Sequence, residues 1–297
     1  MLNTEILTGY SFGIVALGTF LLSAAAGAVG CVTVLKGQSL IGDAIGHSAF
    51  PGVVLAFMLF LQRDPAVLIL GAIVSGTVAF ALIQLIDANA RLDLDAILAV
   101  VLSSFFGLGM VLKSHIQGNP DYAGASQSGL KNYIFGQAAY IMLEDVRLLL
   151  LVAALSLLLL TVFYKEIKLF LFDEVYARTI GLRTTLLYGI VLFMTMSLIA
   201  AGLKLVGAIL ISSLLIVPAI TAMQWSDKFH IVLITAGLTG GASALIGTYI
   251  STVSNGMSTG AVIILVMSVF ALLSLVLGPH GVIANLRMRR REKKSHA

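Results

Sequence analysis

Two ionisable side chains, Asp43 and His47, lie four positions apart within an apolar stretch of the sequence. Residues at this spacing share one face of an α-helix, so the carboxylate and the imidazole point to the same side. Carboxylate oxygen suits Mn²⁺, and imidazole nitrogen suits zinc, iron and manganese, so the pair is able to bind one divalent ion. Ionisable residues inside a membrane are costly and usually line an aqueous path, which favours a role in ion passage.

The spacing by itself leaves two structural alternatives open. The pair can form a hydrogen bond that only holds helices together, or 36–52 can be partly an interfacial loop, where charge costs little. Gly42 and Gly46 form a small-xxx-small pair that lets a neighbouring helix approach closely. Pro51 and Gly52 are expected to kink or break the helix just beyond the pair and to expose carbonyl groups.

A second segment, 172–182, predicts a short surface helix between two apolar runs. Its acidic start and its central Arg178 suit such a helix, and Gly181 is a typical C-terminal stop. The segment is either an ordinary amphipathic connector or a helix that docks on a cytoplasmic partner. The residues assigned to this docking are Asp173, Glu174, Tyr176, Ala177, Arg178 and Gly181.

Two further residues have a simple structural interpretation beside a functional one. Pro218 interrupts the apolar run 206–219, where it marks either a bent helix that lines a pathway or a structural kink. His115 is either a solvated loop histidine or a residue that meets a metal. No glycine is followed by lysine anywhere in the chain, so the chain has no P-loop and cannot supply a standard ATP site.

The composition requires a membrane environment. Of the 297 residues, 59% are apolar and 11% are charged, and the mean hydropathy is +1.04. Soluble domains carry about 25% charged residues. Lipid leaves backbone groups no partner except their own helix, so we predict an all-α, polytopic transmembrane bundle of about 8–9 spans, forming a single domain over 1–297. The candidate spans are 9–35, 40–61, 65–86, 96–113, 146–164, 184–203, 205–225, 230–252 and 257–277.

Basic residues predict which ends of these helices face the cytoplasm. The tail at 286–297 is strongly basic and the loop at about 165–183 carries four Lys or Arg residues, so both are expected inside, as is Lys36. Five candidate spans precede the loop, which puts the N-terminus outside and the C-terminus inside. The basic tail is interpreted as a topology signal, and no nucleic-acid partner is expected.

In two regions, the sequence does not fix how the chain crosses the membrane. In 184–225, only Lys204 and two glycines separate two apolar runs, so this stretch is either a tight hairpin or one span with a re-entrant piece. The stretch 114–145 is the least hydrophobic inside the chain and contains a turn signal at 118–121. We expect an external loop there, with a short helix that returns to the membrane.

The three motif-bearing segments together resemble the permease family of metal-importing ABC transporters, the subunits that serve zinc, manganese and iron uptake. The segment 35–52, Leu-Lys-Gly-Gln-Ser-Leu-Ile-Gly-Asp-Ala-Ile-Gly-His through Pro-Gly, is the specific motif. The segments 173–182 and 206–218 support it in the expected order, and the resemblance runs from about 9 to 277. The residues at 36–40 and at 46–48 look more like those of manganese permeases than those of zinc permeases.

This resemblance implies a transporter subunit without catalysis of its own in the bacterial cytoplasmic membrane. Two copies would pair around a central path, two ABC ATPase subunits would bind beneath, and a metal-loaded lipoprotein or periplasmic protein would dock outside. Asp43 and His47 match the family positions thought to contact the ion, and 173–182 matches the coupling helix that seats in the ATPase groove. No permanently bound cofactor is implied; Mn²⁺, or else Zn²⁺ or Fe²⁺, would be the substrate, moved by alternating access.

Three other functions are compatible with the same residues. A proton-coupled metal carrier would use Asp43 and His47 as a proton relay and would work without ATPase subunits. An intramembrane metalloenzyme would need a third ligand and a base within the spans, and the sequence offers no convincing candidate for either. A membrane scaffold that transports nothing is the third.

Overall fold

The computed structural model describes residues 9–61, 64–117, 119, 122, 141–254 and 257–284. Within these ranges the chain forms helices and no strand. The helices are α1 (Tyr10–Leu35), α2 (Ile41–Phe60), α3 (Pro65–Asn89), α4 (Leu94–Ile116), α5 (Leu143–Val162), α6 (Tyr164–Phe172), α7 (Glu174–Thr179), α8 (Thr184–Val206), α9 (Ala208–Met223), α10 (Phe229–Val253) and α11 (Thr259–Leu277).

Among the described residues, eight helices are long and apolar enough to cross a membrane. These are α1 to α5, α8, α10 and α11, and their bounds differ from the predicted ones by at most three residues. In α6 and α7, nine and six residues form the connection predicted at about 165–183. The prediction of an all-α, multi-pass bundle is therefore confirmed.

The stretch 184–225 forms two helices that meet at a single residue. α8 ends at Val206, Gly207 has φ 81°, and α9 begins at Ala208. A positive φ is costly for residues with a Cβ atom, which explains the glycine at this corner. Since α9 has 16 residues, its length is about 24 Å, below the ~30 Å of a hydrocarbon core. The stretch thus contains one helix of full membrane length and one short helix.

α1 packs against four other helices, α5, α8, α9 and α10. Small residues allow the closest of these contacts, because a Cβ atom on Gly27 would meet the backbone of Ala236, and one on Gly30 would overlap the backbone of Leu215. Pro218 is buried in the same contact, 3.1 Å from the Cβ position of Gly27. α9 is a continuous helix through this proline. Its position among packed helices favours the structural interpretation of Pro218 over a pathway-lining one.

α2 runs without interruption from Ile41 to Phe60 with Pro51 inside it, so of the predicted kink or break at 51–52 the break does not occur. Packing on both α3 and α4 holds the helix together after the loss of one backbone hydrogen bond at the proline. Gly52 serves close packing instead, since a Cβ atom there would lie 2.5 Å from the Cβ atom of Ser75 and would overlap the backbone of Gly71 in α3.

The glycines beside Asp43 also lie on packed surfaces. A Cβ atom on Gly42 would lie 3.2 Å from Cδ1 of Leu215, so the helix that approaches α2 at this point is α9. Gly46 is buried. The contact at Gly42 agrees with the predicted role of small residues in close helix packing.

Gly52→Ala is expected to lower the thermal unfolding midpoint, because the added methyl group cannot fit without a shift of the α3 backbone. Overpacking of this kind costs about 1–3 kcal/mol. Gly189→Ala in α8 is the matched control, since its methyl group would meet nothing within 4 Å. Thermal unfolding of both variants in detergent checks the prediction, and equal midpoints would contradict the close contact between α2 and α3.

Contacts between aromatic rings place several helix ends at one end of the bundle. The ring of Phe229, at the start of α10, lies 5.5 Å from the ring of Tyr164 and 6.1 Å from that of Phe172, in α6. The backbone N–H of His280 donates to the carbonyl of Gln224, just before α10. The end of α11 therefore lies at the same end of the bundle as α6 and α7.

The predicted loop at 114–145 is shorter at both borders than expected. α4 continues to Ile116, and α5 begins at Leu143, since apolar residues extend both helices. The predicted short helix that returns to the membrane falls on residues outside the described ranges, as does the basic tail at 286–297.

Candidate functional site

Asp43 and His47 lie on the same side of α2, as their spacing predicts. Oδ1 of Asp43 is 3.7 Å from Nε2 of His47, and the side chains are 37% and 14% exposed, respectively. Asp43 lies in the first turn of α2, where the positive end of the helix dipole stabilises a carboxylate. Residues 36–40 lie outside any helix and α2 begins at Ile41, so Asp43 and His47 lie in the helix and not in the loop part of 36–52.

The separation of the two side chains is compatible with a single bound ion. Zinc–ligand distances of about 2.0–2.2 Å set the scale for divalent transition metals, so two ligand atoms on one ion are at most about 4.4 Å apart. The 3.7 Å between Oδ1 of Asp43 and Nε2 of His47 is within this limit. One ion between them would replace a long, weak Asp–His contact with two short bonds.

Ser212 is a third member of the site, and it comes from a different helix. Its hydroxyl group donates a hydrogen bond to Oδ1 of Asp43 at 3.1 Å, which holds the carboxylate toward α9. Sequence spacing does not indicate this residue, because it lies 169 positions from Asp43. The only local signal is a pair of hydroxyl side chains, Ser212 and Ser213, in an otherwise apolar run.

The ring of His47 is held by the neighbouring helix and left unpaired on its far side. Phe106 in α4 meets the imidazole edge-on, with 5.0 Å between ring centroids and 88° between planes. The Nδ1 atom of His47 is buried without a hydrogen-bond partner among the described residues. Because Pro51 has no N–H, the carbonyl group of His47 also lacks its usual helical donor. Nδ1 of His47 is thus a polar atom that the described residues leave without a partner.

One copy of the chain supplies a small set of strong ligands. In the described ranges, no group of three or more His, Cys, Asp or Glu side chains is arranged to hold a metal. His115 is exposed in the last turn of α4, nine residues beyond Phe106. At about 1.5 Å per residue, this places His115 about 13 Å along the helix from the level of His47. It does not join Asp43 and His47 in the same site.

The segment 172–182 forms the short helix that its sequence predicts. Asp173 caps α7, with its Oδ1 atom accepting a hydrogen bond of 2.8 Å from the backbone N–H of Tyr176. Gly181 has φ 85°, and the N–H of Leu182 reaches back to the carbonyl of Ala177 at 3.0 Å. This arrangement is a glycine-terminated helix end. Both predicted ends of the helix are confirmed.

Exposed apolar side chains lie on α7 and directly beside it, outside the long helices. Phe172, Val175, Tyr176 and Ile180 are 61%, 75%, 53% and 53% exposed, whereas Ala177 is buried. An exposed apolar patch with a polar rim is typical of a protein interaction site. The patch therefore favours docking over an ordinary connector.

An ion pair anchors α7 to the end of α1. Nζ of Lys36 lies 2.6 Å from Oε2 of Glu174, and Nη2 of Arg178 lies 2.6 Å from Oε1 of the same carboxylate. The hydrogen bond from Lys36 is the main reason why the pKa of Glu174 falls below its ordinary value, and Arg178 adds to this effect. Sequence patterns gave no sign of the long-range pair, because 138 positions separate Lys36 from Glu174.

Comparisons with known proteins identify the family of this chain. The model of the ABC 3 transport family matches residues 11–278. "Manganese transport system membrane protein MntC" of Bacillus subtilis (strain 168) is 39% identical over an aligned length of 285 residues, and the match covers 94% of this chain and 65% of that protein. This chain thus spans slightly less than two thirds of that relative's length.

Two further matches cover almost all of both chains. "Zinc transport system membrane protein TroC" of Treponema pallidum (strain Nichols) is 36% identical over 288 residues, or 97% of this chain and 96% of that protein. A solved structure, "PsaBC from Streptococcus pneumoniae in complex with Fab", has a TM-score of 0.84 at 27% identity, with 96% of this chain and 98% of that chain covered. With a family match over nearly the whole sequence, this multi-pass membrane protein belongs to the ABC 3 transport family.

Proposed function

We propose that this chain is the permease subunit of an ATP-driven importer of a divalent transition metal, and that the metal is Mn²⁺. The observation that carries this proposal is the Asp43–His47 pair, a carboxylate and an imidazole 3.7 Å apart on a membrane-embedded helix of a transport-family protein. The ion is the substrate of the protein and not a resident cofactor. The chain acts as one membrane domain over 1–297.

The choice of Mn²⁺ rests on ligand chemistry and on relatives. A carboxylate with an imidazole is a harder ligand set than imidazoles alone, which suits manganese, although zinc also binds such a site. One relative is named for manganese transport and another for zinc transport. Zinc or iron import by the same mechanism is the alternative substrate assignment.

Two features support separate ATPase partners: the absence of a P-loop from the sequence and the exposed apolar side chains of α7. The sequence has no P-loop, so ATP hydrolysis belongs to separate subunits. The exposed apolar side chains of α7 provide a surface on which such a subunit can dock. The proposed docking residues are Asp173, Glu174, Tyr176, Ala177, Arg178 and Gly181.

A second copy of the chain is supported by the exposure of Asp43. A carboxylate that is 37% exposed within a membrane helix would be costly against lipid. A homodimer with its path along this face of α2 removes that cost and brings two Asp–His pairs toward one ion. This pairing also raises the number of ligands above the two that one copy supplies.

The proposed orientation puts the N-terminus outside and α7 inside the cell. Lys36, α7 and the end of α11 lie at one end of the bundle, and the chain continues from there into the basic tail. Basic residues favour the cytoplasmic side. A lipoprotein or periplasmic protein would then deliver the metal at the opposite end, and closure of the ATPases would alternate access to the site.

Cellular metal content tests this function. A strain that lacks the chain is expected to show a manganese deficit by mass spectrometry, which the wild-type gene corrects. A selective zinc or iron deficit would keep the mechanism and change the substrate. An unchanged content of all three metals would refute metal import. Uptake into vesicles that contain this chain without ATPase subunits would instead support the proton-coupled carrier.

A further inference from the structure

The ion pair between Lys36 and Glu174 joins two segments with different tasks in the proposed transporter. Lys36 directly follows α1, at the start of the connection to α2, whereas Glu174 is the first residue of α7. The Nζ atom of Lys36 also lies 3.9 Å above the ring of Phe170 in α6. Both charged side chains are mostly shielded, with exposed fractions of 20% and 34%. The contact is therefore better defined than a typical surface ion pair.

The connection between α1 and α2 is short and internally hydrogen-bonded. Gly37 has φ 73°, and the N–H of Gln38 donates to the carbonyl of Thr33 at 3.0 Å, which closes the end of α1. The N–H of Ile41 then donates to the carbonyl of Gln38 at 3.1 Å, and that of Asp43 to Leu40 at 3.2 Å. These hydrogen bonds on both sides of the turn restrict the freedom between Lys36 and Asp43. A displacement of Lys36 is therefore passed on to the first turn of α2.

A side-chain network secures the same connection to α3 and α8. The hydroxyl group of Tyr188 accepts hydrogen bonds from Nε2 of Gln38 at 3.2 Å and from Nε2 of Gln84 at 3.1 Å. The ring of Tyr188 packs against those of Phe80 and Phe170. Within the connection, Gln38 is therefore bonded to Tyr188 of α8, and Lys36 is bonded to Glu174 of α7.

These residues line a polar cavity of about 310 Å³. Its lining includes Lys36, Gln38, Gln84, Glu174 and Tyr188. A cavity of this size gives the charged side chains room to move without leaving a polar environment. The contact between α7 and the connection is thus able to shift as a unit, which tightly packed apolar side chains would resist.

We propose that Lys36 is a positioning residue that transmits the movement of α7 to Asp43, through the connection between α1 and α2. This inference rests on the proposed function, because it assumes that a conformational change of the ATPase moves α7. It assigns to Lys36 a role in coupling that is separate from metal binding and from ATPase docking. Loss of the ion pair leaves both sites present but mechanically disconnected.

The test measures manganese transported per ATP hydrolysed, in proteoliposomes that contain the chain with its ATPase subunits. Lys36→Met removes the charge and keeps the aliphatic stem. We expect about a tenfold fall in this ratio, as one charge-assisted hydrogen bond is lost. Lys36→Arg should restore most of the ratio. Glu174→Gln removes the charge on the α7 side of the pair, and with it the ion pair to Arg178, without any change to α1.

The control is Lys228→Met, which removes the same charge from an exposed position before α10. Lys228 has no ion pair within the part of the chain that the structure describes. Its ratio should equal that of the wild type. Co-purification of the ATPase and the thermal midpoint are measured for every variant.

A fall in the ratio with normal ATPase co-purification, and its recovery in Lys36→Arg, would support transmission through Lys36. An unchanged ratio in both Lys36→Met and Glu174→Gln would overturn it. So would a lower thermal midpoint with an unchanged ratio, since that is the result of a purely structural contact. If the wild-type complex shows no ATP-driven uptake at all, the proposed function itself fails and this inference falls with it.

Discussion

Asp43→Asn and His47→Leu are each expected to abolish ATP-driven metal uptake while the complex with the ATPase still assembles. Asparagine keeps the shape of Asp43 and still accepts the hydrogen bond from Ser212, but it has no charge for a cation. Leucine fills the space of His47 against Phe106 without a ligand atom. Even changes in residues that only support a metal ligand cost about 10- to 100-fold in affinity. Loss of a ligand itself should cost at least as much.

The measurement is the initial rate of manganese uptake by proteoliposomes that contain the assembled transporter. Asp95→Asn is the matched control, because Asp95 is an exposed carboxylate in the first turn of α4, as Asp43 is in the first turn of α2. Ser212→Ala should give an intermediate loss, since it frees the carboxylate of Asp43 without removing it. Normal uptake by both Asp43→Asn and His47→Leu would exclude these residues as ligands.

Deletion of 174–181 is expected to remove the ATPase from the purified complex and to leave the membrane bundle folded. α7 contributes only Ala177 to the buried interior, whereas its other large side chains face outward. Val175→Ser together with Ile180→Ser is a milder test of the same surface. Burial of each such side chain contributes about 1.5–3 kcal/mol, so the double variant should weaken docking by roughly two orders of magnitude or more.

Affinity purification from detergent, with the ATPase quantified against the permease, checks this second prediction. Val253→Ser is the control, since Val253 is equally apolar and 46% exposed but lies at the far end of α10. The bundle's integrity is followed by its thermal midpoint. A stable complex after the deletion would falsify the docking role and would move the search for the ATPase surface to other connections.

Local chemistry in the sequence was sufficient for the membrane class, the long helices and the short helix α7. Long runs of apolar residues indicate membrane-spanning helices without further information. The helix ends at Asp173 and Gly181 depend on hydrogen bonds between residues only a few positions apart. The shared face of Asp43 and His47 is likewise a property of one helix, so their spacing predicted it. The division of 184–225 needed the structure, although Gly207 stands at the corner.

Contacts between helices were decided by the tertiary structure alone. The partnership of Ser212 with Asp43, the pairing of Lys36 with Glu174 and the packing of Gly52 on α3 join segments distant in the chain. Helices in a bilayer are apolar on lipid-facing and buried sides alike, so their sequences do not indicate which face meets which neighbour. The continuity of α2 through Pro51 has the same origin, since it depends on the helices packed around it. The sequence by itself therefore determined the membrane class and the shared helix face of the proposed ligands Asp43 and His47, and the packing decided what holds and connects them.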